Sequence, residues 1–265
     1  MIKSGVSTAT LYPMLTEDSL MSLAKNNVDC VEIFANSHCE IEIDFVRGLK
    51  KIIDDYNITV SSIHPYTCGI EPMMFFTQYP RRFLDILDYY KKYFEMMNIL
   101  GANVFVFHGN KPQNAFPDEQ YFERYKGLYD LGKTYGITVA QENVARCSSG
   151  NLDFATKMSN ALGDDVRFVL DTKQCIRSGY TAYDFIDKIG EKVAHIHISD
   201  YNDESDCTLV GKGKLNIDKF LQELKKHSFT GSIILELYSN GYQNISEVSD
   251  NWEFLKQKIK KVCDN

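Results

Sequence analysis

No apolar run in this chain approaches the roughly 20 residues that span a bilayer, so no transmembrane helix is expected. No C-x-x-C pair occurs. The seven cysteines (Cys30, Cys39, Cys68, Cys147, Cys175, Cys207 and Cys263) are odd in number and scattered, which argues for reduced thiols and against a disulfide frame. The opening residues Met1-Ile-Lys-Ser-Gly-Val have no signal-peptide apolar region, so a cytoplasmic protein is expected. No low-complexity linker divides the chain, and one domain over residues 1–265 is expected. Positive charge is in deficit, with 29 Lys+Arg against 36 Asp+Glu and a net charge of −7. That balance counts against a broad nucleic-acid-binding surface.

What the chain does hold is one design, used repeatedly. Ile137-Thr-Val-Ala-Gln-Glu-Asn-Val is an apolar, β-branched run that stops at a carboxylate, Glu142, between two amides. Residues 166–170 run into Asp171, and residues 193–196 into His197 and then Asp200. Residues 232–235 run into Glu236, 103–107 into His108, and 58–63 into His64. Six short hydrophobic runs therefore each finish in a residue type that binds metals.

The remaining sequence supplies helices between these runs. Helical patterns cover residues 16–25, 43–56, 82–99, 118–135, 152–162, 182–189, 218–226 and 246–262. Thr16 stands at an N-cap position with acids in the next turn, and Gly101 and Gly136 stand where helices end. Strands are expected at 5–8, 29–34, 58–63, 103–107, 137–141, 166–170, 193–198 and 232–237. They are too apolar for half-exposed strands and suit a parallel sheet buried on both faces. Eight βα units in 265 residues predict an α/β protein, a (β/α)8 barrel with its active site at the C-terminal strand ends.

Glu142, Asp171, His197 and Glu236 come from four successive strands, whose spacing of about 4.8 Å lets them meet around one ion. Three carboxylates and an imidazole suit a divalent Mn2+, Mg2+, Co2+ or Zn2+. His64 and His108 end the third and fourth strands; they either bind a second metal bridged by Glu142, or hydrogen-bond substrate hydroxyls or act as acid and base. His195 is expected in the packed core, and Glu32, at the end of the second strand, behind a ligand, orienting it. Arg177 is either a binding residue for an anionic substrate or a surface arginine, and Asp200 is a candidate substrate-binding residue. Two loop features remain open: Gly211-Lys-Gly-Lys as a phosphate cradle or a plain turn, and Met73-Met-Phe-Phe as a lid, an oligomer contact or loop packing.

The motifs Ser61-Ser-Ile-His-Pro-Tyr, Val104-Phe-Val-Phe-His-Gly, Gln141-Glu-Asn, Leu170-Asp-Thr-Lys-Gln, His195-Ile-His-Ile-Ser-Asp, Gly211-Lys-Gly and Leu235-Glu occur in this order. With them the whole chain resembles the xylose isomerase-like TIM-barrel superfamily, which includes sugar isomerases and epimerases and the endonuclease IV nucleases. The resemblance implies a metal-dependent enzyme of carbohydrate metabolism. Glu142 and Glu236 would be acid and base around a cis-enediolate, with a small sugar as substrate and a homo-oligomer as one assembly. The nuclease branch adds a third metal, held by a histidine where this chain has Gln174 and by an Asp-x-His where it has Ser205 and Cys207; in the sugar branch the histidine at that first position touches substrate, so the resemblance makes Gln174 a candidate substrate-binding residue, an amide that binds a hydroxyl but does not titrate. An endonuclease IV-like phosphodiesterase with a reduced metal cluster is the main alternative. A sugar sensor without turnover is the other.

Overall fold

The computed structural model describes residues 2–263; Met1 and the side chain of Cys263 lie outside the described residues. Eight strands form the barrel: β1 (Lys3–Ser7), β2 (Cys30–Phe34), β3 (Thr59–His64), β4 (Val104–Phe107), β5 (Thr138–Glu142), β6 (Arg167–Asp171), β7 (Val193–Ile198) and β8 (Ser232–Leu235). Each pairs in parallel with its sequence neighbour, and β1 pairs with β8, which closes the ring. The helices around it are α1 (Thr16–Lys25), α2 (Ile43–Tyr56), α3 (Glu71–Met74), α4 (Pro80–Leu100), α5 (Asp118–Thr134), α6 (Leu152–Leu162), α7 (Thr172–Arg177), α8 (Ala182–Ile189), α9 (Ile217–Lys226) and α10 (Ile245–Cys263). Among the described residues no helix is long and apolar enough to cross a membrane. Cys30, Cys39, Cys68, Cys147, Cys175 and Cys207 are free thiols.

Strand periodicity divides the apolar residues into two sets. Phe105 and Phe107 of β4 point outward; Phe105 meets Tyr90, Tyr93 and Phe94 of α4 edge-on or tilted, at centroid distances of 5.3–5.5 Å. The alternate residues Val104 and Val106 join Ala140 and Val169 in a small separate cluster. By alternation that cluster fills one side of the barrel interior. The aromatic stripe of α4 is thus part of the helix-to-barrel core. Gly101 and Gly136 take φ of +81° and +73°, the left-handed turn that ends a helix and that side chains resist.

Thr16, expected as an N-cap, is instead the first residue of α1, and its hydroxyl donates to Glu40 at 2.8 Å. Two stretches also differ from the sequence expectation. The segment after β3, which holds the loop feature Met73-Met-Phe-Phe, contains the short helix α3. There Phe75 and Phe76 are fully buried, Phe75 lying 5.1 Å from Phe107, while Met73 is half exposed. Loop packing therefore accounts for the two phenylalanines. The second is α7, a helix of 6 residues directly after β6. Asp171 caps it by accepting from the Gln174 backbone N–H at 3.0 Å. An Asp followed by three polar or short residues is a weak helix signal, because a single turn shows no periodicity.

Candidate metal centre and active site

The barrel brings the six strand-end residues to one mouth. Ligand atoms of Glu142, Asp171, His197 and Glu236 all lie within 4.8 Å of one another, as do those of His64, His108 and Glu142. His197 Nδ1 is 3.2 Å from Glu142 Oε1 and 3.7 Å from Glu236 Oε2. Glu142 Oε2 faces the other two imidazoles, with His108 Nε2 at 2.7 Å and His64 Nε2 at 3.8 Å. Burial alone would raise the Glu142 carboxyl; the imidazoles outweigh it and hold its pKa well below the usual carboxylate range. Above them opens a cavity of about 370 Å³, lined among others by His64, His108, Glu142, Lys173, Glu236 and Tyr238. That is room for a small sugar-sized molecule.

The two amides beside Glu142 explain its neighbours' positions. Gln141 Nε2 donates to the carbonyls of Phe107 and His108 at 3.0 and 2.8 Å, and its Oε1 accepts from Tyr121 at 2.6 Å. Asn143 accepts from the Asp171 backbone N–H at 2.7 Å and donates to the Asp171 carbonyl at 3.2 Å. One side chain thus fixes the backbone of His108, and the other that of Asp171. Alternation along β5 sends these amides to the opposite face from Glu142, so they tie the adjacent strand ends.

Glu32 sits in the middle of β2, not at its end, and is completely buried. Its Oε2 accepts from Ser62 at 2.8 Å and lies 3.0 Å from His197 Nε2 and 3.2 Å from His195 Nε2. Its Oε1 accepts from Ser7 at 3.1 Å. This carboxylate therefore orders the far nitrogen of His197 and leaves Nδ1 for the cluster. His195 is buried as expected, but as a member of this polar network.

Lys173, which sequence reasoning left without a role, enters from the first turn of α7. It is 3% exposed, with Nζ 2.8 Å from Glu236 Oε2 and 3.1 Å from Asp171 Oδ2. Burial works against its charge, but Asp171 and Glu236 outweigh that and raise its pKa well above the ordinary lysine value. Burial pushes the Asp171 carboxyl up to about 6, with Lys173 pulling the other way. Gln174 lines the cavity and accepts from the Ala145 backbone N–H at 3.0 Å. Arg177 also lines it, but two of its guanidinium nitrogens bind Asp206 at 2.5 and 3.1 Å and a third binds Tyr238 at 2.8 Å. Its charge is already paired, which makes it a poor anchor for an anionic substrate.

Asp200 is a correction. It is fully buried, and its two oxygens accept from four backbone N–H groups. Oδ1 takes Tyr201 and Leu215, both at 2.8 Å; Oδ2 takes Gly211 at 3.0 Å and Gly213 at 2.9 Å. With both oxygens occupied it pins the loop between β7 and α9 and has no capacity left for substrate. The same contacts decide the Gly211-Lys-Gly-Lys loop. Its amides already hold a carboxylate, so they offer no phosphate cradle. A Cβ on Gly213 would come within 2.2 Å of the Tyr201 carbonyl oxygen, which is why glycine stands there.

The donor set fits a divalent cation. Two buried oxygens in it, Glu142 Oε2 and Asp171 Oδ2, receive no hydrogen bond of good geometry. Carboxylate oxygens held this way are what a cation satisfies. At the positions of the third metal of the nuclease branch, Gln174 is engaged with Ala145, Ser205 donates to the Cys207 carbonyl at 2.9 Å, and Cys207 is buried.

Comparison with known proteins gives a consistent picture. A family model described as "Xylose isomerase-like TIM barrel" matches residues 21–258. The uncharacterized protein MJ1614 of Methanocaldococcus jannaschii is 40% identical over 260 residues, covering 94% of this chain and 98% of the relative. An inosose isomerase of Bacillus velezensis is 23% identical over 226 residues, covering 78% of this chain and 81% of the relative. A solved structure of a D-tagatose 3-epimerase-like protein superposes with a TM-score of 0.80 at 19% identity, over 99% of both chains. The crystal structure of the IOLI protein with a zinc atom superposes with a TM-score of 0.79 at 18% identity, over 100% of both chains.

Proposed function

This chain belongs to the xylose isomerase-like TIM-barrel family, and from that premise we propose that it is a metal-dependent isomerase or epimerase of a small sugar or sugar derivative. The observation that carries the reading is the cluster of Glu142, Asp171, His197 and Glu236, four successive strand ends within 4.8 Å. Support comes from the names of its relatives, an inosose isomerase by sequence and a D-tagatose 3-epimerase-like protein by fold.

Those four residues would hold the ion. Bound there, a divalent cation supplies Lewis acidity toward a substrate carbonyl. The remaining chemistry belongs to the chain. Glu142 or Glu236 takes the proton from the carbon next to the carbonyl; the C–H electron pair becomes the C=C bond and the carbonyl π pair moves onto oxygen, giving a cis-enediolate. A carboxylate then returns a proton. Delivery to the opposite face gives the epimer; delivery to the neighbouring carbon gives the isomer. His64 and His108, both buried beside Glu142, stand where substrate hydroxyls would be bound.

Two measurements test this reading. The first is metal content of freshly purified protein, with His64→Ala and His108→Ala alongside, followed by a ketose screen with Mn2+, Mg2+, Co2+ and Zn2+. One ion per chain retained in both variants, with solvent deuterium entering a ketose, is the expected result. Two ions, one of them lost in each variant, would overturn the assignment of these histidines and favour the phosphodiesterase. The absence of any ion after reloading would end the metal-dependent reading. The second is Glu32→Gln. It keeps the volume but removes the charge that orders His197, and is expected to weaken metal binding by about 10- to 100-fold with the fold intact. Calorimetric titration with Mn2+ reads it; an unchanged affinity would remove Glu32 from the site.

A further inference from the structure

We propose that Lys173 is a resident counter-cation of the carboxylate cluster, which holds Glu236 and Asp171 in place without metal and limits how tightly metal binds. The proposal rests on the metal-dependent reading above and concerns this chain's own charge toward that ion.

The argument starts from position. Lys173 lies in the first turn of α7, and Asp171 is the residue that caps that helix. Its stem is therefore set by the same carboxylate its ammonium faces. Nζ reaches across to Glu236, 2.8 Å away on the far side of β7, and is also 5.0 Å from the centre of the Tyr238 ring. At 3% exposure the ammonium has little water to fall back on, and a buried charge persists only where it is paired.

Charge counting gives the consequence. With the imidazoles neutral, as metal ligation requires, the ligand carboxylates Glu142, Asp171 and Glu236 against one ammonium leave two negative charges, those that one divalent ion cancels. Without Lys173 only the imidazoles beside Glu142 and Glu236 offset these three carboxylates when no metal is present. With Lys173, an arriving ion meets a positive charge hydrogen-bonded to Glu236 and ion-paired with Asp171, two of its own ligands. Both effects narrow the gap between the metal-free and metal-bound states. Such a site exchanges its ion instead of locking it.

The sign of one substitution separates this from a merely structural role. Lys173→Met keeps length and apolar stem and removes the charge. Coulomb repulsion between a single and a double charge a few ångströms apart leads us to expect Mn2+ affinity to rise by about tenfold or more. The metal-free melting temperature should fall while the metal-bound one holds. A structural support would act the other way, because its loss would disorder the ligands and weaken binding. Lys173→Arg, which retains the charge, should bind Mn2+ no more tightly than the wild type. The experiment is calorimetric titration of all three metal-stripped proteins with Mn2+ alone, with thermal melts with and without it. Tighter binding in Lys173→Met, including binding that appears only there, supports the proposal. Equal or weaker binding in Lys173→Met, with a normal wild type, overturns it and leaves the metal-dependent reading standing. Absence of binding in every protein overturns both.

Discussion

Glu142→Gln and Glu236→Gln are each expected to abolish turnover, a loss of at least about 10² to 10⁴-fold, the range of general acid–base action. The amide is nearly isosteric but neither accepts nor returns a proton. For Glu142 the loss should be compounded. Both of its oxygens face ring nitrogens, Oε1 toward His197 at 3.2 Å and Oε2 toward His108 at 2.7 Å. An amide must present its NH2 to one side, which turns an attraction into a contest of donors. For Glu236 the Lys173 contact at 2.8 Å confines one oxygen, so in the proposed mechanism the other would handle the proton. The measurement is solvent-deuterium incorporation at the carbon next to the carbonyl of the active ketose, with circular dichroism to confirm the fold. Near-normal exchange in either variant would show that two carboxylates are not required.

Asp200→Ala is expected to cause the largest loss of stability, about 3–5 kcal/mol, within the range of disrupted buried networks. Removing the carboxylate orphans the N–H groups of Tyr201, Gly211, Gly213 and Leu215 together. Water entering the space would recover part of the cost. At roughly 2–4 °C per kcal/mol for a chain of this size, the melting temperature should fall by about 10 °C. Asp200→Asn should lie between, since one oxygen remains to accept. A melt of Asp200→Ala within about 2 °C of wild type would mean that the loop does not depend on this residue. Residual activity is informative too, because a loop pin lowers the folded fraction and leaves the chemistry of the surviving molecules intact.

Much of this protein was readable from chain order. Parallel strands all point the same way, so a residue at the end of an apolar run is delivered to the same rim whatever the details of packing. That is why His64, His108, Glu142, Asp171, His197 and Glu236 could be grouped before any distance was known. Period-two alternation likewise predicts that Val104 and Val106 face away from Phe105 and Phe107. The closing glycines Gly101 and Gly136 are legible for a local reason, the backbone conformation they alone adopt cheaply.

Three residues mark where that logic ends. Glu32 lies mid-strand, and its partners Ser7, Ser62, His195 and His197 come from β1, β3 and β7. Only barrel closure brings those strands around one interior point. Lys173 belongs to a helix of six residues, too short to show a period, and its ammonium crosses to a residue 63 positions away. Asp200 stands beside the site in sequence, yet the chain after β7 folds back over it and takes both its oxygens. Side-chain type and strand order were enough for the barrel and for the set of ligand-type residues gathered at one rim. The direction in which each charge points, and which partner neutralises it, depend on loop paths and on closure of the ring, and those exist only in three dimensions.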